Sequence, residues 1–299
     1  MYTTLGASRS ARCKRRASMR VASMAPPGCS SLYVELSDRA GPIDLAGVLR
    51  GLVEVGALSE EIKRFLIRSV RAHKNIIISG GTGSGKTTLL NALSQYIDSS
   101  ERIITIEDSA ELQLQQPHVV RLETRPANFE GQGAFTIRDL VINALRMRPD
   151  RIVVGECRAG EAMDMLQAMN TGHDGSLTTL HANNPHEAVS RLETLCLMAD
   201  VELPVKAIRT QIGNAVHVVV QANRLGDGSR KITAVSEVTG LTDSGEVNLN
   251  PLYLFQRLPP EPGEGPHAKI RGRFRTTGYV PTFIGQFYTL GLIAPGEGA

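Results

Sequence analysis

The chain has 299 residues and 41% hydrophobic content, enough for one large domain or two ordinary domains with a substantial core. Its net charge of +3 is too small to indicate nucleic-acid binding by itself, and no stretch approaches the roughly 18 apolar residues of a membrane span. The cysteines lie too far apart for a CxxC metal site and indicate reduced, buried thiols. We therefore predict a cytoplasmic protein.

The first 30 residues predict an irregular, basic segment. Up to Arg20 the segment carries six Arg and Lys residues and no acidic residue, and it ends in the breaker Ala25-Pro26-Pro27-Gly28. It lacks the apolar core of a secretory signal, and we favour a solvated tail over a transit peptide. A short strand is predicted at residues 32–36, and a clear helix is predicted after Ser59, a candidate N-cap.

From Asn75 onward, apolar strands alternate with helical segments, which is typical of a mainly parallel sheet with helices on both faces. The predicted strands are Asn75–Ser79, Arg102–Glu107, Val119–Leu122, Arg151–Gly155, Ser176–Leu180 and His217–Gln221. The predicted helices run from Lys86 to about Tyr96, Thr136 to Arg146, Glu161 to Asn170, Pro185 to Met198 and Pro204 to Asn214. We predict an α/β fold that binds its ligand at the carboxyl ends of the strands.

Past Asn223 the alternation gives way to two predicted strands, Lys231–Leu241 and Glu246–Phe255. A proline-rich linker signal follows at residues 258–263, and residues 269–299 predict short β or irregular structure. This pattern predicts a small, β-rich C-terminal extension.

A glycine-rich loop joins the first strand of the alternation to its first helix. It reads Gly80-Gly81-Thr82-Gly83-Ser84-Gly85-Lys86-Thr87-Thr88, in the strand–loop–helix order of a Walker A element. Glycines let successive backbone N–H groups turn toward a phosphate, and the N-terminus of the next helix favours the same anion. Lys86 would reach the β- and γ-phosphates, and the Thr87 hydroxyl would hold Mg²⁺. We predict that this loop binds a nucleoside triphosphate.

Acidic or imidazole side chains end three further predicted strands. Glu156 follows an apolar strand as in a Walker B element, and we assign it the positioning of the attacking water. Glu107 and Asp108 are neighbours whose side chains point to opposite faces of a strand, so we expect Glu107 to face the nucleotide and Asp108 to brace the loop. His181 is expected to sense the γ-phosphate.

Five arginines lie between the two acidic strands: Arg121, Arg125, Arg138, Arg146 and Arg148. An arginine finger accelerates phosphoryl transfer by about 10³–10⁵. Most surface arginines have no such role. We expect one or two of the five to act, with Arg138 and Arg125 as the leading candidates.

Taken in order, these segments resemble the secretion and pilus-assembly ATPases of the type II/type IV secretion superfamily. The matching motifs are a Walker A loop, an Asp box, a Walker B element and a His box, at residues 80–87, 104–112, 152–156 and 175–183. The Gly155-Glu156 ending is typical of this family. Further segments resemble the tight-adherence (CpaF-type) pilus ATPases, namely residues 122–128, 145–151, 168–176, 224–230 and 274–278.

The resemblance implies a RecA-like motor that works as a hexameric ring at the cytoplasmic face of the inner membrane. ATP hydrolysis, with Mg²⁺ as cofactor, would drive the insertion or extraction of pilin subunits through a membrane platform protein, and no nucleic-acid partner is expected. By motif, Lys86 and Thr87 carry over as nucleotide and Mg²⁺ contacts, Glu156 as the catalytic glutamate, Glu107 as the Asp-box acid and His181 as the His-box residue.

This resemblance also implies that the chain divides into three parts. Residues 1–42 would be a basic tail with the remnant of a truncated N-terminal domain, residues 43–241 the RecA-like ATPase domain, and residues 242–299 the C-terminal extension. Relatives carry an N-terminal domain that packs on the nucleotide, so we expect either a truncated protein that assembles and turns over poorly or a gene start assigned too far downstream.

Two alternatives to this motor stay open. One is a RecA-type nucleic-acid motor, which the 4% aromatic content and the clustering of basic residues do not favour. The other is a non-catalytic truncated paralogue that occupies a position in a ring. A guanine-nucleotide switch is less favoured still, because the sequence has no Asn-Lys-x-Asp motif.

Overall fold

The computed structural model describes residues 45–199, 201–259, 261 and 269–294. The basic tail, the N-terminal remnant and the strand predicted at residues 32–36 lie outside the described residues. The helices are α1 (Leu45–Glu54), α2 (Glu60–Arg71), α3 (Lys86–Ser94), α4 (Ile137–Ala144), α5 (Glu161–Asn170), α6 (Pro185–Leu197), α7 (Val205–Ala215) and α8 (Ile284–Thr289), with a 3₁₀ turn at Leu145–Met147. The strands are β1 (Ile76–Ser79), β2 (Ile103–Glu107), β3 (Val119–Glu123), β4 (Arg151–Val154), β5 (Leu177–Leu180), β6 (Val218–Arg224), β7 (Arg230–Leu241), β8 (Val247–Arg257) and β9 (Gly272–Thr276).

The nine strands of the described residues form one sheet, in the order β3-β2-β4-β5-β1-β6-β7-β8-β9. Neighbours from β3 to β6 are parallel, and neighbours from β6 to β9 are antiparallel. The predicted α/β fold with a mainly parallel sheet is therefore confirmed. The register pairs Ser79 with Leu180 and Gln221, so β1 and β5 end together, beside β6, at the edge where such sheets bind ligands.

Helices cover both faces of β1, β2, β4 and β5, whose residues are all buried, whereas the edge strand β3 is partly exposed. In β1, Ile77 packs into the core formed with α4 to α7, whereas Ile76 and Ile78 pack into a second core with α1, α2 and α3. This alternation follows from the two-residue period of a strand. The ligand edge of the sheet is thus held rigidly between two packed layers.

Side-chain caps fix where two helices begin. Ser59 Oγ accepts a hydrogen bond from Ile62 N at 3.3 Å, as predicted for the N-cap of α2. Thr136 and Asp139 form a reciprocal capping box at the start of α4. The helix predicted from Thr136 to Arg146 ends earlier, at Ala144, and continues as the 3₁₀ turn.

The strands β8 and β9 extend the sheet to which the parallel strands belong, so the described part of residues 242–299 shares that sheet. The sequence predicts β or irregular structure for residues 269–299 and misses α8. Phe287 of α8 packs on Phe65 of α2 with 6.1 Å between ring centroids. This long-range contact stabilises a short helix that has no local signal.

A buried ion pair anchors the start of β4. Arg151 is fully buried, and its Nε and Nη2 donate to Glu101 at 2.5 and 2.9 Å. Its Nη1 donates to the carbonyl oxygens of Val70 at 2.8 Å and Gly175 at 3.2 Å. Arg151 thereby ties α2, β4 and the turn before β5 together, beneath the strand that leads to Glu156.

Candidate functional site

The loop between β1 and α3 has a backbone that side chains would disturb. Gly83 and Gly85 have φ angles of +70° and +96°, in the left-handed region that favours glycine. Gly80 N donates to the carbonyl oxygen of Leu180 at 3.2 Å, and a Cβ on Gly80 would lie 2.2 Å from the carbonyl oxygen of Ala222. The loop therefore packs directly against the end of β5 and against β6.

Lys86 folds over this loop. Its Nζ donates to the carbonyl oxygens of Gly80 at 2.9 Å and Gly81 at 3.3 Å, and only 8% of the residue is exposed. Burial lowers the pKa of Lys86, and the nearby charge of Glu156 opposes that shift. Ser84 Oγ is also buried in the loop, without a hydrogen-bond partner in the described part of the chain. An anion such as a phosphate would satisfy both groups.

The first turn of α3 adds backbone donors. Its first hydrogen bond runs from Leu89 N to the carbonyl oxygen of Gly85 at 2.9 Å. The N–H groups of Lys86, Thr87 and Thr88 therefore have no acceptor within the described ranges, as expected at a helix N-terminus. These donors and the helix dipole fit a phosphate group in the loop.

The predicted magnesium contact, Thr87, is partly exposed at the start of α3. The described residues contain no group of three or more His, Cys, Asp and Glu side chains that could hold a metal ion. Mg²⁺ beside phosphates keeps several waters and needs only one or two protein oxygens. The Thr87 hydroxyl fits that requirement.

Two cavities flank the loop and share Gly83, Lys86 and Thr87 in their walls. The acidic cavity, of about 500 Å³, is otherwise lined by Thr82, Glu107, Asp108, Ser109, Glu111, Ile137, Gly155, Glu156, Arg158, Thr179 and His181. The other cavity, of about 430 Å³, is otherwise lined by Leu52, Ala57, Leu58, Ser84, Gly85, Thr88, Leu89, Arg230, Lys231 and Ile232. A triphosphate in the loop would thus face carboxylates on one side and a partly apolar cavity on the other.

Glu156 lies between two basic groups in the acidic cavity. Its Oε2 accepts a hydrogen bond from Arg158 Nε at 2.5 Å, and its Oε1 lies 2.7 Å from His181 Nε2. The contact between His181 Nε2 and Glu156 Oε1 is short but does not meet the angular criteria of a hydrogen bond, so Oε1 accepts no hydrogen bond from the described residues. The structure thus brings together Glu156, His181 and Lys86, which the sequence assigned to three separate motifs.

The two acids at the end of β2 have different hydrogen-bond partners. Glu107 is buried, and its Oε1 accepts from the backbone N–H groups of Glu111 at 3.0 Å and Leu112 at 2.9 Å. Burial raises the pKa of Glu107, and these two hydrogen bonds oppose the rise. Glu107 thus braces the loop, while the more exposed Asp108 accepts from Arg158 Nη1 at 2.7 Å and from Thr124 Oγ1 at 3.3 Å. The expectation that Glu107 faces the nucleotide stays a prediction. Both acids line the acidic cavity.

The two arginine-finger candidates do not line the acidic cavity. Arg138 Nε donates to Asp164 of α5 at 2.9 Å. Arg125 Nε donates to the carbonyl oxygen of Gly133 at 2.8 Å, and its guanidinium lies 4.8 Å from the centre of the Phe135 ring. Their assignment as fingers stays a prediction.

Two other arginines, which the sequence reasoning did not select, contact the site. Arg158 bridges Glu156 and Asp108, and its position two residues after Glu156 was an available signal. Arg230 Nε donates to the carbonyl oxygen of Gly83 at 2.8 Å from a position 147 residues further along the chain. No spacing rule connects Arg230 to the loop, because the sheet alone brings them together.

Residues 15–243 match the family model described as type II/IV secretion system protein. The chain belongs to the type II/IV secretion system protein family. The superfamily that the motifs resemble is thereby confirmed. None of the helices in the described ranges combines the length and the hydropathy needed to cross a bilayer.

Relatives of this family member include a Mycobacterium tuberculosis protein named for conjugal transfer, 43% identical over 188 residues that cover 63% of this chain and 53% of that protein. The type IV secretion system protein PtlH of Bordetella pertussis is 42% identical over 173 residues, which cover 56% of this chain and 50% of PtlH. The chain thus spans about half the length of these curated relatives. The crystal structure of the VirB11 ATPase from the Brucella suis type IV secretion system, in complex with sulphate, matches with a TM-score of 0.53 and 35% identity, covering 65% of this chain and 57% of that chain.

Proposed function

We propose that this chain binds ATP with Mg²⁺ and hydrolyses it as a motor subunit for protein secretion or pilus assembly. The observation that carries the proposal is the meeting of the glycine loop, Lys86, Glu156 and His181 around one cavity at the carboxyl edge of the sheet. A phosphate-binding loop alone is common to many nucleotide-binding proteins. A carboxylate opposite the loop supplies what hydrolysis needs in addition.

Each side chain has a chemical part in this proposal. The glycine loop, the backbone N–H groups of Lys86, Thr87 and Thr88 and the Lys86 side chain hold the triphosphate, and Thr87 holds Mg²⁺, which would neutralise charge on the phosphate oxygens. Glu156 orients and deprotonates the attacking water, and His181, 2.7 Å from its carboxylate, contacts the γ-phosphate side of the cavity. Glu107 maintains the loop after β2 as one wall of the cavity.

The larger assembly follows from the family and belongs to the same proposal. We infer a hexameric ring at the cytoplasmic face of the inner membrane that acts on a platform protein and handles pilin or another secreted protein indirectly, without nucleic acid. The names of the relatives support a conjugal-transfer or type IV secretion setting. The motifs quoted above support the tight-adherence subgroup. Residues 43–241 would form the ATPase domain.

Turnover measurements test the catalytic part. Glu156→Gln should retain Mg-ATP binding and lose about 10²–10⁴ in phosphate release, because the general base is removed. Lys86→Ala should weaken binding itself. The matched control is Glu246→Gln, since Glu246 is an exposed acid paired with Arg209 away from the acidic cavity. Equal turnover of the wild type and Glu156→Gln would refute the proposal.

Mass measurements test the assembly part. Analytical ultracentrifugation of the full chain with Mg²⁺ and the non-hydrolysable analogue AMP-PNP separates the ring from the poor assembly expected of a truncated protein: a species with the mass of six chains supports the ring. A monomer at every concentration would contradict the ring. That result would not affect the proposed nucleotide binding, which the Lys86→Ala variant tests separately.

A further inference from the structure

Among the described residues, Lys86 and Arg158 are the Lys and Arg side chains that line the acidic cavity, and the nucleotide chemistry above gives a role to Lys86 but none to Arg158. Its guanidinium spans two strand ends, donating to Glu156 Oε2 after β4 and to Asp108 Oδ2 after β2. The hydrogen bond to Glu156 is the main cause of the raised pKa of Arg158. The carboxylate proposed to activate water is therefore engaged by a guanidinium in this structure.

The backbone around Arg158 is fixed, whereas its side chain is held only by the two carboxylates and is largely exposed. The N–H groups of Arg158 and Ala159 both donate to Glu161 Oε1, at 2.5 and 2.9 Å. A Cβ on Gly160 would lie 2.7 Å from Ala199 Cα, so this loop is packed closely on the end of α6. The Arg158 side chain is nevertheless 62% exposed. A rotation about its side-chain bonds needs no backbone movement and little desolvation.

The destination of such a rotation lies in the same cavity. Arg158 lines it together with Thr82, Gly83, Lys86 and Thr87 of the phosphate-binding loop. Arginine presents five N–H donors in a planar fork that suits phosphate oxygens as well as carboxylates. A phosphate group carries more charge than either carboxylate, so it competes for the guanidinium.

We propose that Arg158 is a γ-phosphate switch: it holds Glu156 and Asp108 until the γ-phosphate of ATP enters the cavity, then exchanges these carboxylates for the phosphate and releases Glu156 to orient water. This inference rests on the proposed function. ADP, which lacks the γ-phosphate, would not drive the exchange. Arg158 thus makes the release of Glu156, the general base, depend on whether the bound nucleotide has a γ-phosphate.

The binding test compares ADP with AMP-PNP on the full chain, by calorimetric titration in Mg²⁺. Arg158→Ala should lower the affinity for AMP-PNP by about tenfold to a hundredfold, the worth of a charged hydrogen bond, and leave the ADP affinity within about twofold. Arg158→Lys keeps the charge without the fork and should show an intermediate loss. If Arg158→Ala does not fold, the lysine variant still decides between the outcomes.

Arg209→Ala is the matched control. Arg209 also bridges two carboxylates, of Glu193 at 3.0 Å and Glu246 at 2.7 Å, but it lines a different cavity. Its loss should leave both affinities unchanged. Equal effects of Arg158→Ala on ADP and AMP-PNP, or no effect on either, would overturn the switch while the proposed function stands. Failure of the wild type to bind either nucleotide would overturn the proposed function and the switch with it.

A double-mutant cycle tests the exchange of partners. Glu156→Gln should raise AMP-PNP affinity more in the presence of Arg158 than in Arg158→Ala, because only Arg158 has to leave the carboxylate. The same cycle measured with ADP should show no coupling. Additive effects on AMP-PNP affinity would refute the exchange.

Discussion

Gly80→Ala tests the geometry of the phosphate-binding loop most directly. The new Cβ would lie 2.2 Å from the carbonyl oxygen of Ala222 and 2.5 Å from Ser84 Oγ. Real Cβ atoms essentially never come closer than 3.0 Å to another heavy atom, so the loop and β6 have to separate by at least the difference of 0.8 Å between 3.0 and 2.2 Å. The Ser84 side chain can rotate away, but the Ala222 carbonyl belongs to a strand paired on both sides.

Relief of this clash costs stability. Overpacking of a tightly packed position typically costs about 1–3 kcal/mol. For a domain of this size each kcal/mol lowers Tm by about 2–4 °C, so we expect Gly80→Ala to unfold about 2–12 °C below the wild type. Because Gly80 also supplies the carbonyl oxygen that accepts from Lys86 Nζ, the displacement should weaken Mg-ATP binding as well.

Thermal unfolding followed by circular dichroism is the assay, and the neighbouring glycine gives the control. A Cβ on Gly81 would meet no atom of the described residues within 4 Å. Gly81→Ala should therefore keep its Tm within about 2 °C of the wild type, or raise it slightly by restricting the unfolded chain. Equal Tm values for Gly80→Ala and Gly81→Ala would refute the close approach of the loop to β6.

Three further predictions concern stability, acid sensitivity and nucleotide affinity. Arg151→Met should lower the free energy of unfolding, measured in urea, by about 3–5 kcal/mol, because it leaves Glu101 buried without its partner. Adding Glu101→Gln should restore part of this loss. A loss below about 1 kcal/mol would contradict the buried pair. Burial lowers the pKa of His217 from 6.5 to about 4, so the unfolded chain takes up a proton before the folded chain does, and stability falls as the pH drops from 6.5 toward 4, by up to about 3 kcal/mol. In urea titrations across this window His217→Gln should flatten the pH dependence relative to the wild type, and parallel curves for the two proteins would count against the assignment. Arg230→Ala should weaken Mg-ATP binding about threefold to tenfold in calorimetric titrations, because the loop loses the hydrogen bond to the Gly83 carbonyl, and unchanged affinity would exclude this support.

The sequence carried enough local information to predict most of the parallel sheet. The strand and helix periods differ, and each predicted segment between Asn75 and Gln221 corresponds to an element of the structure. The phosphate-binding loop was equally predictable, because its glycines, lysine and threonine act through their own backbone and immediate neighbours. The Ser59 cap is another local interaction, and it too was predictable.

Side-chain orientation around the site was not predictable in the same way. The alternation rule assigned opposite faces to Glu107 and Asp108, and from it we expected Asp108 to brace the loop. In the structure Glu107 braces the loop because it accepts from two backbone N–H groups after β2, and Asp108 is paired with Arg158, which follows β4. These partners come from turns and from another strand, so no pattern within residues 102–108 specifies them.

What the sequence determined by itself was the set of chemical groups and the order of elements that present them, because propensity, capping and glycine geometry depend on near neighbours. Only the tertiary structure decided which groups meet. The strand order brings Glu156 to His181, Arg158 to Asp108 and Arg230 to Gly83, over separations that only the packing of the sheet can close.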